Sequence, residues 1–392
     1  MRLCLVSSSF YPATFYGGPI SATWDLSKKL TDRDIEVFVS TTNANGNKKL
    51  DVVINKFIKK HENLFIKYYN EQILNKLSVQ FILGIWSDIK KSDVVYIQYL
   101  FHYTVFFALI FSIFQNKKII ICPRGSLSVW GLNYKHKWKK KIWLNIFIRP
   151  FTANVRWQAS SCIEVDDIKN IFRSSEVVEV NDGIHFDSFQ DAAVITGAKL
   201  LHKFTGKNFD DVSNIFFSMG RLHKIKGFNV LIDAFALFIQ DDKNAKLLIA
   251  GADDGMKDTL LLQIESLSLS DSVFLIGPVN FEDKKLLLSN CDAFALSSEF
   301  ESFGIVVAEA LACGSPVIVS DKTPWKDLEI NNCGILANNE KHSFYHAFRR
   351  ILEIKFDRDR IKSYVKSNYD REIIVEKFLQ KCCKLKREDE KV

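Results

Sequence analysis

Short apolar runs alternate with helical patterns twice along this chain, and that doubled alternation constrains its fold more than any other feature. Residues 3–6, 35–39, 94–97 and 119–122 read as buried strands in the first half. Between the first two, Pro19 opens a helix with Ile20, Trp24 and Leu30 on one face. The pattern restarts with residues 215–219, 246–250, 273–276, 293–296 and 317–319, separated by helical patterns such as 228–238 and 281–288. Alternating β and α units imply parallel sheets with right-handed crossovers. The periodicity lapses over residues 189–211, which read as a linker. At 392 residues the chain exceeds one ordinary core. The prediction is an α/β protein of two Rossmann-like domains, residues 1–188 and 212–364, with a helical tail over 365–392.

Composition narrows the class. A hydrophobic fraction of 47% suits parallel strands buried on both faces. Lys+Arg 53 against Asp+Glu 46 leaves +7, a mild excess that favours anionic small molecules or an acidic membrane surface over extended nucleic acid. Cys4, Cys122, Cys162, Cys291, Cys313, Cys333, Cys382 and Cys383 form no Cys-x-x-Cys pair and lie mostly in apolar runs. The expectation is reduced, buried thiols in a cytosolic protein. MRLCLVSSSF reads as a first strand, with no long apolar core or cleavage site of a signal peptide. The run from Thr104 to Phe114 is short for a membrane span and reads as a buried core helix.

The candidate chemistry concentrates in the second half. SSEFESFGIVVAEALACGSPVIV, from Ser297 to Val319, reads as loop, helix, turn and strand. It carries Glu301 at the helix mouth and Glu309 inside the helix. Val306, Val307, Ala308, Ala310 and Leu311 surround Glu309 with apolar side chains, so a carboxylate there belongs in a recess. Carboxylates accept bonds from sugar hydroxyls. Gly220-Arg221-Leu222 and Lys226-Gly227 leave the carboxyl end of the strand at 215–219, where open α/β sheets bind ligands. Arg grips a diphosphate with parallel bonds and Lys adds a compact charge, though a solvated basic turn would look alike. Gly17-Gly18-Pro19 suits a phosphate at a helix N-terminus, and equally an ordinary turn. No G-x-G-x-x-G fingerprint occurs. Asp32-Arg33-Asp34 and Asp357-Arg358-Asp359 read as solvated turns, and no metal is expected.

The segment from Lys135 to Arg149 (KHKWKKKIWLNIFIR) carries cations and no acid, with Trp138 and Trp143 interleaved. It reads either as a contact for anionic lipid or as a solvated helix covering apolar neighbours with its lysine stems.

Residues 297–319, with G-R-L-x-x-x-K-G at 220–227, resemble the retaining glycosyltransferases of family four, which have the GT-B fold. The stretches P-R-G-S-L at 123–127, Trp130-Gly131-Leu132, T-P-W-K-D-L at 323–328 and Cys333-Gly334 resemble one subgroup of it. The resemblance implies two Rossmann-like domains facing across a donor/acceptor cleft, with the last helix packing back on the first. It implies a nucleotide-diphosphate sugar as donor substrate, with no cofactor. Arg221 and Lys226 would hold the diphosphate, and Gly17 and Gly18 would face it. Glu309 would take the ribose, and Glu301 with Phe303 and Gly304 the hexose. The backbone at Val279 would meet the base. Arg124 would contact the acceptor or a phosphate. Where the family has a histidine this chain has Gln98, so either Gln98 or His102 would supply that contact. The expected reaction moves a hexose to a glycan or lipid-linked glycan acceptor in surface polysaccharide synthesis, at the inner face of the membrane. A nucleotide-sugar epimerase of the same fold and a non-catalytic nucleotide-sugar binder remain as alternatives.

Overall fold

The structure is a computed structural model that describes residues 1–13, 18–46, 48–72 and 77–383. It forms two compact units. One is Met1–Gly183 joined by the chain from Arg371 onward, and the other is Ile184–Asp370.

The first unit holds β1 (Arg2–Val6), β2 (Glu36–Thr42), β3 (Ala44–Asn45), β4 (Lys48–Lys49), β5 (Ile58–His61), β6 (Leu64–Tyr69), β7 (Val94–Gln98), β8 (Lys118–Cys122), β9 (Val155–Ala159) and β10 (Glu176–Glu179). β3 and β4 pair with each other. The rest form one sheet in the order β10-β9-β8-β7-β1-β2-β6-β5, parallel except for β5 against β6. The central strands are apolar at successive positions because both faces are covered. Cys4 and Val6 enter the core on one face, Leu3 and Leu5 the core on the other.

The second unit holds β11 (Ile215–Met219), β12 (Lys246–Ala250), β13 (Val273–Gly277), β14 (Ala293–Leu296), β15 (Val317–Ser320) and β16 (Gly334–Ala337). Its order is β13-β12-β11-β14-β15-β16, all parallel. In each unit the chain winds outward from its first strand and then returns to the other side. The topological switch points fall between β1 and β7 and between β11 and β14. Crevices at the carboxyl ends of such strands are where open α/β sheets take ligands.

Several expectations need correction. Residues 189–211 are no linker. The helix Gly197–Thr205 buries Leu200 and Leu201 in the second unit's core, and the boundary lies at Gly183. The chain returns to the first unit at Arg371, not at 365, because the helix Arg358–Tyr369 buries Ile361 and Val365 in the second. Helix Arg371–Phe378 then packs Ile374, Val375 and Phe378 into the first unit's core. β6, β9, β10 and β16 carry Lys67, Arg156, Glu176 and Asn338 within or beside them and escaped the apolar-run criterion. Cys162 is exposed, unlike the other seven cysteines, and all eight are free. The helix Tyr103–Phe114 is buried on one side only, through Val105, Ala108 and Leu109, while Phe114 is 73% exposed.

Candidate functional site

β11 and β14 end side by side, and the loops leaving them are stapled together. The amide of Glu299 donates to the carbonyl of Ile225 at 2.8 Å, and the Ser297 hydroxyl donates to the carbonyl of Gly227 at 2.8 Å. Gly227 is required by this closeness. Its φ is +63°, and a Cβ would lie 2.0 Å from the Ser297 carbonyl oxygen. The stapling brings Lys226 Nζ to 2.5 Å from Glu301 Oε1, which also accepts from the Ser298 hydroxyl at 2.7 Å. Both charged groups are about seven-eighths buried. An ammonium has three donors, so Lys226 keeps two beyond its bond to Glu301. Arg221 stands at the same strand end, half exposed, with its Nη1 2.5 Å from Asp254 Oδ2. A guanidinium has five donors, which leaves the remainder of its fork for an anion.

Glu309 lies in the second turn of the helix Ile305–Ala312, which starts after Gly304 at φ +79°. Its recess holds a partner. Lys284, from the helix Phe281–Asn290, reaches Glu309 Oε1 at 2.6 Å and lies over the Phe189 and Phe281 rings. The Glu301–Gly304 turn is anchored from below by buried Trp325, whose Nε1 donates to the Phe303 carbonyl at 2.7 Å. Val279 sits two residues past the end of β13, half-buried against the same core.

In the first unit, Gly18 begins the helix Gly18–Thr31, while Gly17 lies outside the described residues. Gln98, at the end of β7, is buried. Its Oε1 accepts from Arg124 Nε at 3.1 Å and from the Thr23 hydroxyl at 3.0 Å. This fixes the amide's orientation, since a flip would set Nε2 against the Arg124 N–H. Gln98 Nε2 has no partner among the described residues. Arg124 is ion-paired with Asp182, and its side chain is 2% exposed. It therefore holds Gln98 in place and is not presented to solvent. His102 caps the helix Tyr103–Phe114. Its Nδ1 accepts from the Thr104 amide at 3.4 Å and lies 2.9 Å from the Thr104 hydroxyl. Burial pushes its pKa down to about 4, so the ring is neutral at pH 7.

The structure pairs Lys226 with Glu301 where the loops after β11 and β14 meet, sets Arg221 of the same β11 loop against Asp254 from the loop after β12, and places Glu309 on the helix that follows Gly304. Sequence reasoning missed Lys284, Asp254, Ser298 and Asp182. Ser298 lies three residues from Glu301, and the other three complete pairs with charged residues that were singled out, but no local signal marks a partner 25 to 58 residues away. The apolar setting of Glu309 signalled a recess, and the structure adds the cation that meets it there. Among the described residues no group of three or more His, Cys, Asp or Glu is arranged to hold a metal.

The second unit thus carries two cations and two carboxylates in the loops and helix that follow its β11 and β14 strand ends. Residues 202–368 match the family model of Glycosyl transferases group 1, and through this segment the chain is related to that family. A mannosylfructose-phosphate synthase of Agrobacterium fabrum is 33% identical over 121 residues, 29% of this chain and 27% of its own length. An N-acetylgalactosamine-N,N'-diacetylbacillosaminyl-diphospho-undecaprenol 4-alpha-N-acetylgalactosaminyltransferase of Campylobacter jejuni is 34% identical over 139 residues, 35% of this chain and 36% of its own. The chain spans between a quarter and about half of the curated relatives it matches. Anabaena Alr3699/HepE, solved in complex with UDP, aligns with 98% of this chain and all of its own at a TM-score of 0.76 and 18% identity. The fold is that of the GT-B glycosyltransferases.

Proposed function

We propose that the chain is a retaining, metal-independent glycosyltransferase. It moves a hexose from a nucleotide-diphosphate sugar to a hydroxyl of a glycan or lipid-linked glycan, in bacterial surface polysaccharide synthesis such as O-antigen or capsule. The observation that carries this reading is the Lys226–Glu301 pair at the β11/β14 switch point, with half-exposed Arg221 in the same loop as Lys226. The spare donors of Arg221 and Lys226 bind the diphosphate and stabilise its charge as the glycosidic bond breaks. Glu301 accepts from the hexose hydroxyls, and Glu309 takes the ribose diol beside Lys284. Gly304 lets the backbone approach the sugar, and the backbone at Val279 meets the base. The bond from the anomeric carbon to the phosphate oxygen breaks, the bond to the acceptor oxygen forms on the same face, and the acceptor proton passes to the phosphate oxygen.

The donor class is supported by the Anabaena neighbour, solved with UDP-glucose as well as UDP. The acceptor class is supported by the Campylobacter relative, named for a diphospho-undecaprenol acceptor. On the acceptor side, Gln98 Nε2 offers the hydrogen bond in place of the family's histidine, with Arg124 orienting it. Neutral His102 serves as a helix cap.

Calorimetric titration with UDP, GDP, ADP and their sugars tests the site. One nucleotide should bind selectively, and Arg221→Ala and Glu309→Ala should each weaken it at least tenfold, about 1.4 kcal/mol. No binding of any nucleotide would overturn the reading. Donor turnover without acceptor would reassign the chain as an epimerase. Binding with no transfer to any acceptor would leave a non-catalytic binder.

A further inference from the structure

We propose that one face of the first unit is a docking surface for an anionic lipid bilayer, and that this face is wider than the basic segment that first suggests it. Three helices lie side by side on it: Val79–Lys90, Tyr103–Phe114, and Lys137–Trp143 continued by the π-turn Leu144–Ile148. Ring contacts join them. Trp86 meets Phe111 with centroids 5.3 Å apart, and Phe106 meets Phe147 at 5.1 Å.

Each helix turns one stripe inward, and the first and third leave an exposed apolar stripe outside. On the first the outer stripe is Val79, Leu83 and Trp86, all exposed. On the third it is Trp138, Ile142 and Ile146, with Trp138 64% exposed. Phe114 extends the middle helix's outer side. Isolated exposed apolar residues need no explanation, but two exposed stripes and Phe114 on adjoining helices mark a contact surface.

Charge identifies the occupant. Lys135, Lys137, Lys139 and Lys141 are exposed beside Trp138 and Ile142, and the segment has no acid. None of the four meets a carboxylate among the described residues, whereas Lys29, Lys203 and Lys207 do. A second copy docking through the same face would set lysines against lysines. An anionic headgroup layer matches the lysines, with the apolar stripes entering the acyl boundary beneath. No helix among the described residues is long and apolar enough to cross a membrane, so the contact is with the surface. The proposal rests on the glycosyltransferase reading only in placing the acceptor's lipid at this face.

The test is co-sedimentation of the full chain with vesicles of phosphatidylcholine, with and without phosphatidylglycerol. The wild type should pellet with the phosphatidylglycerol vesicles and be released by salt. Replacing three lysines (Lys137→Gln, Lys139→Gln, Lys141→Gln), at about fivefold each, should weaken binding about a hundredfold. Trp138→Ser with Ile142→Ser should weaken it at least tenfold. Leu83→Ser with Trp86→Ser should also weaken it, which a contact limited to the basic segment would not require. All variants should keep wild-type nucleotide affinity, showing an intact fold. Equal pelleting with neutral vesicles would overturn the proposal, as would no pelleting of the wild type or a dimer abolished by Trp138→Ser. Vesicle binding without any nucleotide binding would sink the enzymatic reading and leave the docking surface standing.

Discussion

The two units wind their sheets in the same sense, yet their switch points are furnished in opposite ways. At β11/β14, Arg221 is 46% exposed and its pairing with Asp254 is at the surface. At β1/β7 the corresponding cation, Arg124, is sealed against Asp182 and Gln98. The second unit leaves its guanidinium half exposed, and the first seals its guanidinium against a carboxylate and a buried amide. The same topology therefore holds one cation at the surface and the other in the interior.

The sharpest way to break this comparison is to remove one member of each pair. Asp182→Ala strands Arg124 in the interior and should cost about 3–5 kcal/mol in denaturant unfolding. Arg221→Ala should change stability by less than about 1 kcal/mol while weakening nucleotide binding. Equal stability losses would show that both pairs are structural.

A second test concerns closeness. Gly227→Ala forces a Cβ against the Ser297 carbonyl at positive φ, whereas Gly206→Ala at φ +70° has open space around it. The first should cost about 1–3 kcal/mol beyond the roughly 1 kcal/mol expected of the second. It should also weaken nucleotide binding, because it parts the two loops that set Lys226 against Glu301.

Lys284→Met leaves Glu309, about seven-eighths buried, without its cation. Nucleotide affinity should fall about tenfold, by roughly 1.4 kcal/mol, with the fold retained by circular dichroism. Unchanged affinity would remove Lys284 and Glu309 from the ribose site.

A pH dependence tests the helix cap of the first unit. His102 has a folded pKa of about 4 against an ordinary value near 6.5. In that window the unfolded chain binds the extra proton, so stability rises with pH. Asp167, raised by burial to about 6, acts in the opposite direction. The readout is therefore the difference between wild type and His102→Asn. The wild type should lose stability relative to the variant as pH falls from about 6.5 to about 4. A constant difference would show that His102 is not a buried neutral cap.

Periodicity alone determined the two β/α series. Strands buried on both faces must be apolar at successive positions, and the five strands expected in the second unit all formed, three at their expected limits. Sequence position set Arg221 and Lys226 just past a strand end and Glu301 and Glu309 at and inside a helix mouth, and the structure has them on those elements; their roles came from the family resemblance. Tertiary structure alone decided which charges are free to meet a ligand. Lys284, Asp254 and Asp182 reach their partners from other elements, and a charge's availability depends on the groups that surround it in space. It also decided that the helix Tyr103–Phe114 keeps one side outward. Helical phase shows which residues share a face, but only packing shows which face is covered.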